Sequence, residues 1–335
     1  MAIRIGVVVA TTGPVAVLGS SFIKAIQLAK EDLRNTTNQY DLLIEEISSP
    51  EHAEPAIKKL IEQQRVSALI VGLSISGRIA RTYAAAAGIP LFCVCSVGDL
   101  GDELFTFTMM PLGEDEAAQW VTEARRRGIR KIARITQDYP SIENHLRALK
   151  VETGPAGIEF VYEDRFEATA RDFTASIAAA RKTSPDVYFV EAFNPALDLL
   201  GGQLRDSGVR NVASVVAFSL SDRPEVFEGG WYTDSYMSPE FSLRLERRYP
   251  AQRLATHMMP YAYDSLRMLV EGFESGDALK HIRTMTEYKG TAGKITKVAG
   301  TGNFRSAPAI WVIRNGKPTL AESGHTADFP FGGGA

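Results

Sequence analysis

The sequence predicts an α/β protein built from two doubly wound lobes, each around a mainly parallel sheet. Short β-branched runs alternate with amphipathic helical segments along most of the chain, which is the pattern of βαβ units. The alternation comes in two series, separated by a break and followed by extra helices and late strands. The chain also has 335 residues, more than one hydrophobic core usually covers, so two domains are expected.

The first series starts at the amino terminus. Ile3–Val9 is a β-branched strand, Thr11–Pro14 is a turn, and an amphipathic helix runs from Leu18 to Arg34. A buried strand that passes into a helix through a Gly-Pro turn is typical of the start of a parallel α/β sheet. The other predicted elements of this series are the strands Leu42–Ile47, Ala68–Val71 and Leu91–Val94 and the helices Ala53–Gln64 and Gly77–Ala87.

A proline and a glycine break the pattern near Met110–Glu114, and the second series follows. Its helices are predicted at Asp115–Arg127, Ile142–Lys150, Asp172–Lys182 and Pro195–Ser207, and its strands at Ile132–Ile135, Ile158–Tyr162, Val187–Val190 and Val212–Ala217. The later elements are the strand Trp231–Met237, the helices Glu240–Arg248 and Tyr261–Ser275, and the short strands Gly293–Thr296 and Ala309–Ile313. Residues 326–335 are expected to form a loosely ordered tail.

The composition is that of an ordinary soluble globular protein. Apolar residues make up 45% of the chain, charged residues make up 23%, and the net charge is −3. Because acidic residues outnumber basic ones, the chain as a whole has no electrostatic footprint for nucleic acid or for an anionic membrane. No stretch approaches the roughly 18 apolar residues that a transmembrane helix needs.

The sequence leaves the cellular compartment open. No secretory segment precedes the first predicted strand, so the protein is either cytoplasmic or a mature form from which the signal has been removed. Cys93 and Cys95 lie two positions apart on a predicted strand and point to the same face, a poor geometry for a disulfide between them. We expect free thiols, which do not identify the redox environment.

Signatures of catalysis and of metal binding are absent from the sequence. The five histidines are scattered, with no pair at metal-ligand spacing. Gly72–Ser76 resembles a nucleophile elbow but lacks its final glycine, which makes Ser74 a poor nucleophile. Gly290–Lys294 has the wrong spacing for a phosphate loop. We therefore expect no enzyme, no cofactor and no metal ion.

Small hydroxyl side chains follow three strands of the first series. Thr12 follows the first strand, Ser74 and Ser76 follow the third, and Cys95-Ser96-Val97 follows the fourth. Open α/β folds bind ligands at the carboxyl ends of their strands, and hydroxyls with free backbone N–H groups at helix N-termini can hold a carboxylate. Serine also caps helices, so capping alone is an alternative at each loop. Three such loops at one sheet edge favour a shared polar wall.

The strand ends of the second series are larger and more aromatic. They carry Tyr139, Phe193 with Asn194, and Ser219. A cleft between a hydroxyl-lined edge and an aromatic edge would suit a small amphipathic ligand. Ordinary packing at the rim of a domain is the alternative explanation for the two aromatic residues.

Motifs spread over nearly the whole chain resemble a known family. They are Ile3–Gly6 with Thr12–Pro14 and Gly19, Gly72 with Ser76, Ala87–Leu91, Asp138–Tyr139, Asp172–Phe173, Pro185–Asp186, Gln203 with Gly208, Ala262–Asp264, and Gly316–Lys317. Their order and spacing resemble the type I periplasmic binding proteins of branched-chain amino acid ABC transporters, the Leu/Ile/Val-binding family. The resemblance implies two lobes joined by three crossover strands that act as a hinge, with ligand bound in the cleft between them. It places residues 1–113 and 238–298 in the first lobe and residues 114–237 and 299–325 in the second.

The resemblance also implies roles for residues of the first lobe. Ser76 matches the serine that holds the ligand α-carboxylate, and Cys95 and Ser96 match backbone positions that face the α-ammonium and the carboxylate. Val97 stands where the family usually has a threonine that contacts both groups. This departure weakens the match to an α-amino acid ligand.

In the second lobe, Tyr139, Phe193 and Asn194 match positions that line the site, and the Asn194 amide is expected to hydrogen-bond a ligand hydroxyl or amide. The glutamate that pairs with the ligand ammonium has no clear counterpart near Ser219–Asp222. Asp222 is a displaced alternative to this glutamate. Because a buried, unpaired ammonium would be costly, these departures weaken the match to an α-amino acid ligand.

Two functions follow from these resemblances. The first is a monomeric periplasmic solute-binding protein that delivers a carboxylate-bearing molecule, an aromatic acid or an amino-acid-like compound, to the permease of an ABC importer. The alternative is a cytoplasmic ligand sensor, because Asp138–His145 is also similar to the amide-binding sensor proteins of amidase operons. An enzyme acting in the cleft is a third possibility, against which stands the missing catalytic constellation.

Overall fold

The computed structural model describes residues 2–321, which form two compact units. Unit 1 comprises residues 2–112 and 235–306, and unit 2 comprises residues 113–234 and 307–321. Within this part of the chain the backbone therefore passes from one unit to the other three times. The predicted tail at residues 326–335 lies outside the described residues.

Unit 1 contains an eight-stranded sheet and six α-helices among its described residues. Its first part contains β1 (Ile3–Ala10), α1 (Ala16–Glu31), β2 (Tyr40–Ile47), α2 (Ala53–Lys58), β3 (Ala68–Gly72), α3 (Ser74–Ala87), β4 (Leu91–Val94) and β5 (Thr106–Met109). After the unit 2 segment come α8 (Pro239–Arg248), α9 (Met259–Glu274), α10 (Ala278–Thr284), β11 (Glu287–Gly290), β12 (Gly293–Lys297) and β13 (Asn303–Ser306).

Unit 2 contains a seven-stranded sheet. Its first segment contains α4 (Gly113–Arg126), β6 (Lys131–Gln137), α5 (Pro140–Thr153), β7 (Glu159–Phe166), α6 (Thr174–Arg181), β8 (Val187–Glu191), α7 (Ala196–Asp206), β9 (Val212–Val215) and β10 (Trp231–Ser235). The segment after residue 306 adds β14 (Pro308–Arg314) and the antiparallel edge strand β15 (Lys317–Leu320).

The two sheets share one topology. The strand order is β2-β1-β3-β4-β5 at the heart of unit 1 and β7-β6-β8-β9-β10 at the heart of unit 2, and the registered pairs in both runs are parallel. In unit 1 the strand that comes first in the chain, β1, lies between β2 and β3, and in unit 2 β6 lies in the same way between β7 and β8. The connections that follow β1 and β3, and those that follow β6 and β8, run in opposite directions along the sheet. The carboxyl ends of β1 and β3, and those of β6 and β8, therefore flank a topological switch point.

Burial explains why these segments are strands. All five residues of β3 and all five of β8 are buried, as expected for central parallel strands with both faces covered by helices. In unit 2, Trp120 of α4 stacks on Trp231 of β10 at a ring-centroid distance of 5.0 Å and contacts Phe189 of β8 edge-on at 5.8 Å. These rings fill the space between the helices and the sheet.

The two-lobed α/β fold class predicted from the sequence is confirmed, but several elements differ from their predicted bounds. The first helix ends at Glu31, three residues before the predicted Arg34. The predicted helix Ala53–Gln64 is α2 followed by a π-helical turn, Lys59–Gln63. The predicted strand Val212–Ala217 ends at Val215, because Val216 has a left-handed φ of 66° and a three-ten turn follows at Ala217–Leu220.

Five short elements were not predicted. They are β5, α10, β11, β13 and β15. Each strand among them has only four residues, too few for a periodic pattern, and the helix has seven. The predicted return to the second lobe at residue 299 also differs from the structure, because β13 pairs in parallel with β5 and lengthens the unit 1 sheet to Ser306.

No helix among residues 2–321 is both long enough and apolar enough to cross a membrane.

Candidate functional site

The switch point of each unit brings together loops that carry sequence-predicted site residues. We call the loops after β1, β3 and β4 the unit 1 edge, and the loops after β6, β8 and β9 the unit 2 edge. The unit 1 edge contains Thr12, Ser74, Ser76, Cys95, Ser96 and Val97, and the unit 2 edge contains Tyr139, Phe193, Asn194 and Ser219. Strand order therefore places these residues where open α/β sheets bind ligands.

The loop after β1 is fixed by a close helix and by one side chain. The Thr12 hydroxyl donates to the Ser48 carbonyl at 2.6 Å, which ties the loop to the end of β2. Gly19 of α1 lies against the last residues of β1, and a Cβ at this position would overlap the Ala10 carbonyl oxygen. The glycine is needed because α1 approaches the strand end so closely.

The turn from β3 to α3 is strained. Leu73 has φ 73° and ψ 148°, a conformation that a branched side chain rarely adopts. Its N–H donates to the Val94 carbonyl at 3.1 Å, so the neighbouring strand holds it in place. Backbone strain of this kind costs about 1–3 kcal/mol and is concentrated at ligand sites.

Helix α3 begins immediately after this turn. Ser74 is its first residue, and the N–H groups of a first helical turn have no partner within the helix and favour an anion. The Ser76 side chain is buried, and its hydroxyl donates to the Pro50 carbonyl at 3.3 Å, which leaves its oxygen lone pairs as acceptors. Of the two serines, Ser74 is the one at the helix start.

The β4 loop has a mixed lining. The two free thiols of Cys93 and Cys95 lie 3.4 Å apart between sulfur atoms, and burial raises the pKa of the Cys93 thiol well above its usual value. Ser96 and Val97 are half-buried, and Val97 packs against the unit 1 core. In the structure the Val97 side chain therefore packs on apolar residues of unit 1, and the contact with a ligand predicted for it stays a prediction.

The unit 2 edge carries an aromatic pair. The rings of Tyr139 and Phe193 meet edge to face at a centroid distance of 4.9 Å. The Phe193 N–H donates to the Gln137 side-chain oxygen at 3.0 Å, which fixes the loop after β8 to the end of β6. Tyr139 is 37% exposed, a high value for a large aromatic side chain.

The amide of Asn194 bonds within unit 2. Its Nδ2 donates to the Leu220 carbonyl at 3.2 Å, and its Oδ1 accepts from the Asp198 N–H at 3.3 Å. These bonds tie the β8 loop to the three-ten turn that contains Ser219, which is buried. In this conformation the amide has a structural role, and the predicted hydrogen bond from Asn194 to a ligand stays a prediction.

Two acidic groups of the unit 2 edge are paired within the chain. Asp138 forms an ion pair with Arg165 of β7. Glu191, the last residue of β8, contacts Nδ1 of His145 at 2.5 Å. Asp222, in the segment where the family's ammonium-binding glutamate has no clear counterpart, is exposed and donates its N–H to the Asp198 carboxylate at 3.1 Å.

Sequence reasoning missed the cluster formed by Glu116, His145 and Glu191. Glu191 ends an apolar run, and Glu116 faces the core although it lies in the acidic first turn of α4. A charged residue that ends a wholly apolar strand is the one signal that could have pointed to it. No group of three or more His, Cys, Asp or Glu residues in the range 2–321 is arranged to hold a metal ion.

Comparison with known proteins gives one family and many similar folds. The model of the family described as "Periplasmic binding protein" matches residues 2–315. Among curated proteins, no sequence matches the chain.

Three solved structures illustrate the similarity of fold. An ABC transporter solute-binding protein from R. palustris in complex with 4-hydroxybenzoate is 18% identical, with 98% of each chain covered and a TM-score of 0.78. A second one from R. palustris, in complex with benzoate, is 16% identical, with 98% of this chain and 99% of that chain covered and a TM-score of 0.76. A leucine-binding protein from Thermotoga maritima is 18% identical, with 95% and 97% covered and a TM-score of 0.79. At these identities the similarity shows the fold alone.

Proposed function

The chain belongs to the periplasmic binding protein family, and on that premise we propose that it is a solute-binding protein that captures a small aromatic carboxylate for an ABC importer. The observation that carries the proposal is the β3–α3 turn at the unit 1 switch point. There the strained Leu73 leads directly into a helix N-terminus that begins with Ser74. A helix N-terminus with an adjacent hydroxyl is suited to a carboxylate.

The aromatic side chains of the unit 2 edge favour a ligand that contains an aromatic ring. The edge-to-face pair of Tyr139 and Phe193 offers apolar ring surface, and Tyr139 is partly exposed. A ligand ring that packs against such a pair gains both area burial and ring–ring contacts. We propose the unit 1 edge as a site for an acid group and the unit 2 edge as a surface for an aromatic ring.

The charges favour an acid without an α-amino group. Asp138 is paired with Arg165 and Glu191 with His145, so each of these carboxylates already has a cationic partner within unit 2. Val97 packs on the unit 1 core and supplies no polar atom from its side chain. The aromatic acids bound by the two R. palustris proteins point to the same ligand class.

The proposal is tested by thermal shift and calorimetry with benzoate, 4-hydroxybenzoate, leucine and benzamide. A ligand present at 100 times its Kd stabilises the folded protein by about 2.7 kcal/mol, which gives a clear rise in Tm. We expect the two aromatic acids to raise the Tm and leucine and the neutral amide to have little effect. A panel in which no compound raises the Tm would overturn the proposal, and a response to leucine alone would reassign the ligand class.

Substitution of Ser74 tests the acid-binding role of unit 1. Ser74→Ala should weaken binding of benzoate by about 10- to 150-fold, since it removes one hydrogen bond to a charged group. The matched control is Ser275→Ala, whose hydroxyl donates to the Gly272 carbonyl in the last turn of α9. Equal affinities for the two variants would contradict the role of Ser74. Ser76→Ala, measured in parallel, shows whether the serine predicted from the sequence contributes.

The remaining features of this function are proposed with it. We propose that the protein acts in the periplasm, as a monomer, and passes its ligand to a membrane permease. Size-exclusion chromatography with light scattering tests the monomer, and uptake of radiolabelled benzoate by cells with and without the gene tests the transport role.

A further inference from the structure

Three ionisable side chains meet in the interior of unit 2. His145 of α5 lies with Nδ1 2.5 Å from a carboxylate oxygen of Glu191 and with Nε2 3.8 Å from a carboxylate oxygen of Glu116. The Glu116 and Glu191 side chains are almost completely buried, and the His145 side chain is 18% exposed. The cluster joins three elements, because Glu116 belongs to the first turn of α4, His145 to α5 and Glu191 to the end of β8.

The cluster lies next to the aromatic pair along both chain segments. Glu191 precedes Phe193 by two residues, and Tyr139 is the residue immediately before α5. Besides its pairing with β6 and the bonds of Asn194, the end of β8 is held by the bond from the Phe193 N–H to Gln137 and by the ion pair with His145. The ion pair is a direct side-chain contact between α5, the helix that follows Tyr139, and β8, the strand that precedes Phe193.

The imidazole is charged at neutral pH. Burial works against its charged form, but the carboxylates of Glu191 and Glu116 outweigh burial and raise the pKa of His145 to about 9. From α4 the group facing it is Glu116, and from β8 it is Glu191. On α5 itself, the Glu143 carboxylate lies 3.7 Å from a guanidinium nitrogen of Arg165 of β7. Arg165 is also paired with Asp138, in the loop after β6.

We propose that His145 is a positioning residue for ligand binding, a cation that holds the end of β8 against α5 and thereby sets the Phe193 ring against Tyr139. If His145 loses its proton, two carboxylates on separate elements lose the cation they share, and their mutual repulsion opposes the packed arrangement. The inference rests on the proposed function, in which the unit 2 edge contacts the ring of the ligand.

The first experiment measures the Kd of benzoate by calorimetry from pH 6.5 to pH 10. Benzoate is the probe because it has no group that titrates in this range. We expect constant affinity up to about pH 8 and a weakening of about tenfold by pH 10, as His145 loses its proton. In His145→Gln the affinity should be weaker at pH 7 and independent of pH.

A second variant separates a positioning role from a general loss of stability. Glu191→Gln keeps a hydrogen-bonding side chain beside His145 but removes the closer negative charge, so the pH midpoint of binding should move down by at least about one unit. The control is His52→Gln in unit 1, where the imidazole contacts the Ser48 hydroxyl, and it should retain the wild-type profile. An unchanged midpoint in Glu191→Gln would overturn the inference.

A ligand-free measurement keeps the inference testable if benzoate does not bind. Hydrogen exchange of the Phe193 amide, compared between wild type and His145→Gln at the same pH, reports whether the end of β8 is held in place. We expect at least about tenfold faster exchange in the variant at pH 7 and no difference at pH 10. No binding of benzoate at pH 7 would count against the proposed function alone. Equal Phe193 exchange rates at pH 7 would overturn the role of His145 whatever the ligand.

Discussion

At the scale of single residues, a few close hydrogen bonds change the pKa of an ionisable side chain. In unit 1, Glu274 at the end of α9 accepts hydrogen bonds from the Tyr40 hydroxyl at 2.6 Å and from the N–H groups of Thr37 and Asn38 at 2.7 and 3.1 Å. These donors favour the ionised carboxylate, the Tyr40 hydroxyl most strongly, and lower the pKa of Glu274 to about 2. The carboxylate thereby anchors the loop before β2 to α9.

The pH dependence of stability follows from this shift. Because the pKa of Glu274 is lower in the folded state than its usual 4.5, its stabilisation is complete above pH 4.5 and disappears as the pH falls towards 2. Glu274→Gln should therefore unfold at a lower temperature than wild type at pH 7, and the gap should close at about pH 2. Circular dichroism at 222 nm between pH 2 and pH 7 measures it. The exposed Glu62→Gln is the control, and a constant gap across this range would contradict the assignment.

At the scale of elements, the close approach of α3 to β4 depends on a missing side chain. An ideal Cβ on Gly77 would overlap the Cys93 sulfur and would lie 2.8 Å from a methyl carbon of Leu100. The helix can therefore begin at Ser74, directly at the unit 1 edge, only because residue 77 is glycine. This packing holds the helix N-terminus that is proposed to bind the carboxylate.

Gly77→Ala should destabilise the protein by about 1–3 kcal/mol, the usual cost of overpacking a core. Cys93→Ala makes room for the new methyl group, so the double variant should lose less than the sum of the two single losses. Urea unfolding of the four proteins measures the coupling. Gly202→Ala is the matched control, since a Cβ there meets nothing within 4 Å and should raise helix stability. Additive losses would show that Gly77 and Cys93 do not compete for space.

At the scale of the whole molecule, each unit is assembled from two separate segments of the chain. In unit 2 the second segment supplies β14, which packs against α4 and brings Ile310 and Val312 into the core that contains Trp120 and Trp231. A buried side chain of this size contributes about 1.5–3 kcal/mol. The segment that follows residue 306 is therefore a structural part of unit 2.

This organisation predicts how fragments behave. Residues 113–234 alone should lack fixed tertiary packing, whereas the same fragment joined by a flexible linker to residues 307–321 should fold. The stacked pair of Trp120 and Trp231 provides the signal, because near-ultraviolet circular dichroism reports its asymmetric environment. A native-like tryptophan signal from residues 113–234 alone would contradict the prediction.

The sequence by itself determined the fold class and the longer helices and strands. Ile3–Val9, Leu91–Val94 and Val187–Val190 could be predicted because a buried parallel strand must be apolar on both faces. The alternation of such runs with amphipathic helices led to two doubly wound sheets. It also placed Thr12, Ser74 and Tyr139 at strand ends, since a loop that follows a parallel strand must lie at the carboxyl edge of the sheet.

Only the tertiary structure decided which of these residues meet and what occupies their polar atoms. The pairing of β13 with β5 and the meeting of Glu116, His145 and Glu191 join residues far apart in the chain, and no local pattern encodes them. The Asn194 amide was predicted to face a ligand, and the structure shows it bonded to Leu220 and Asp198. The physical reason is that periodicity reports only which face of an element is buried, whereas hydrogen bonds and charge pairs depend on distances that packing alone sets.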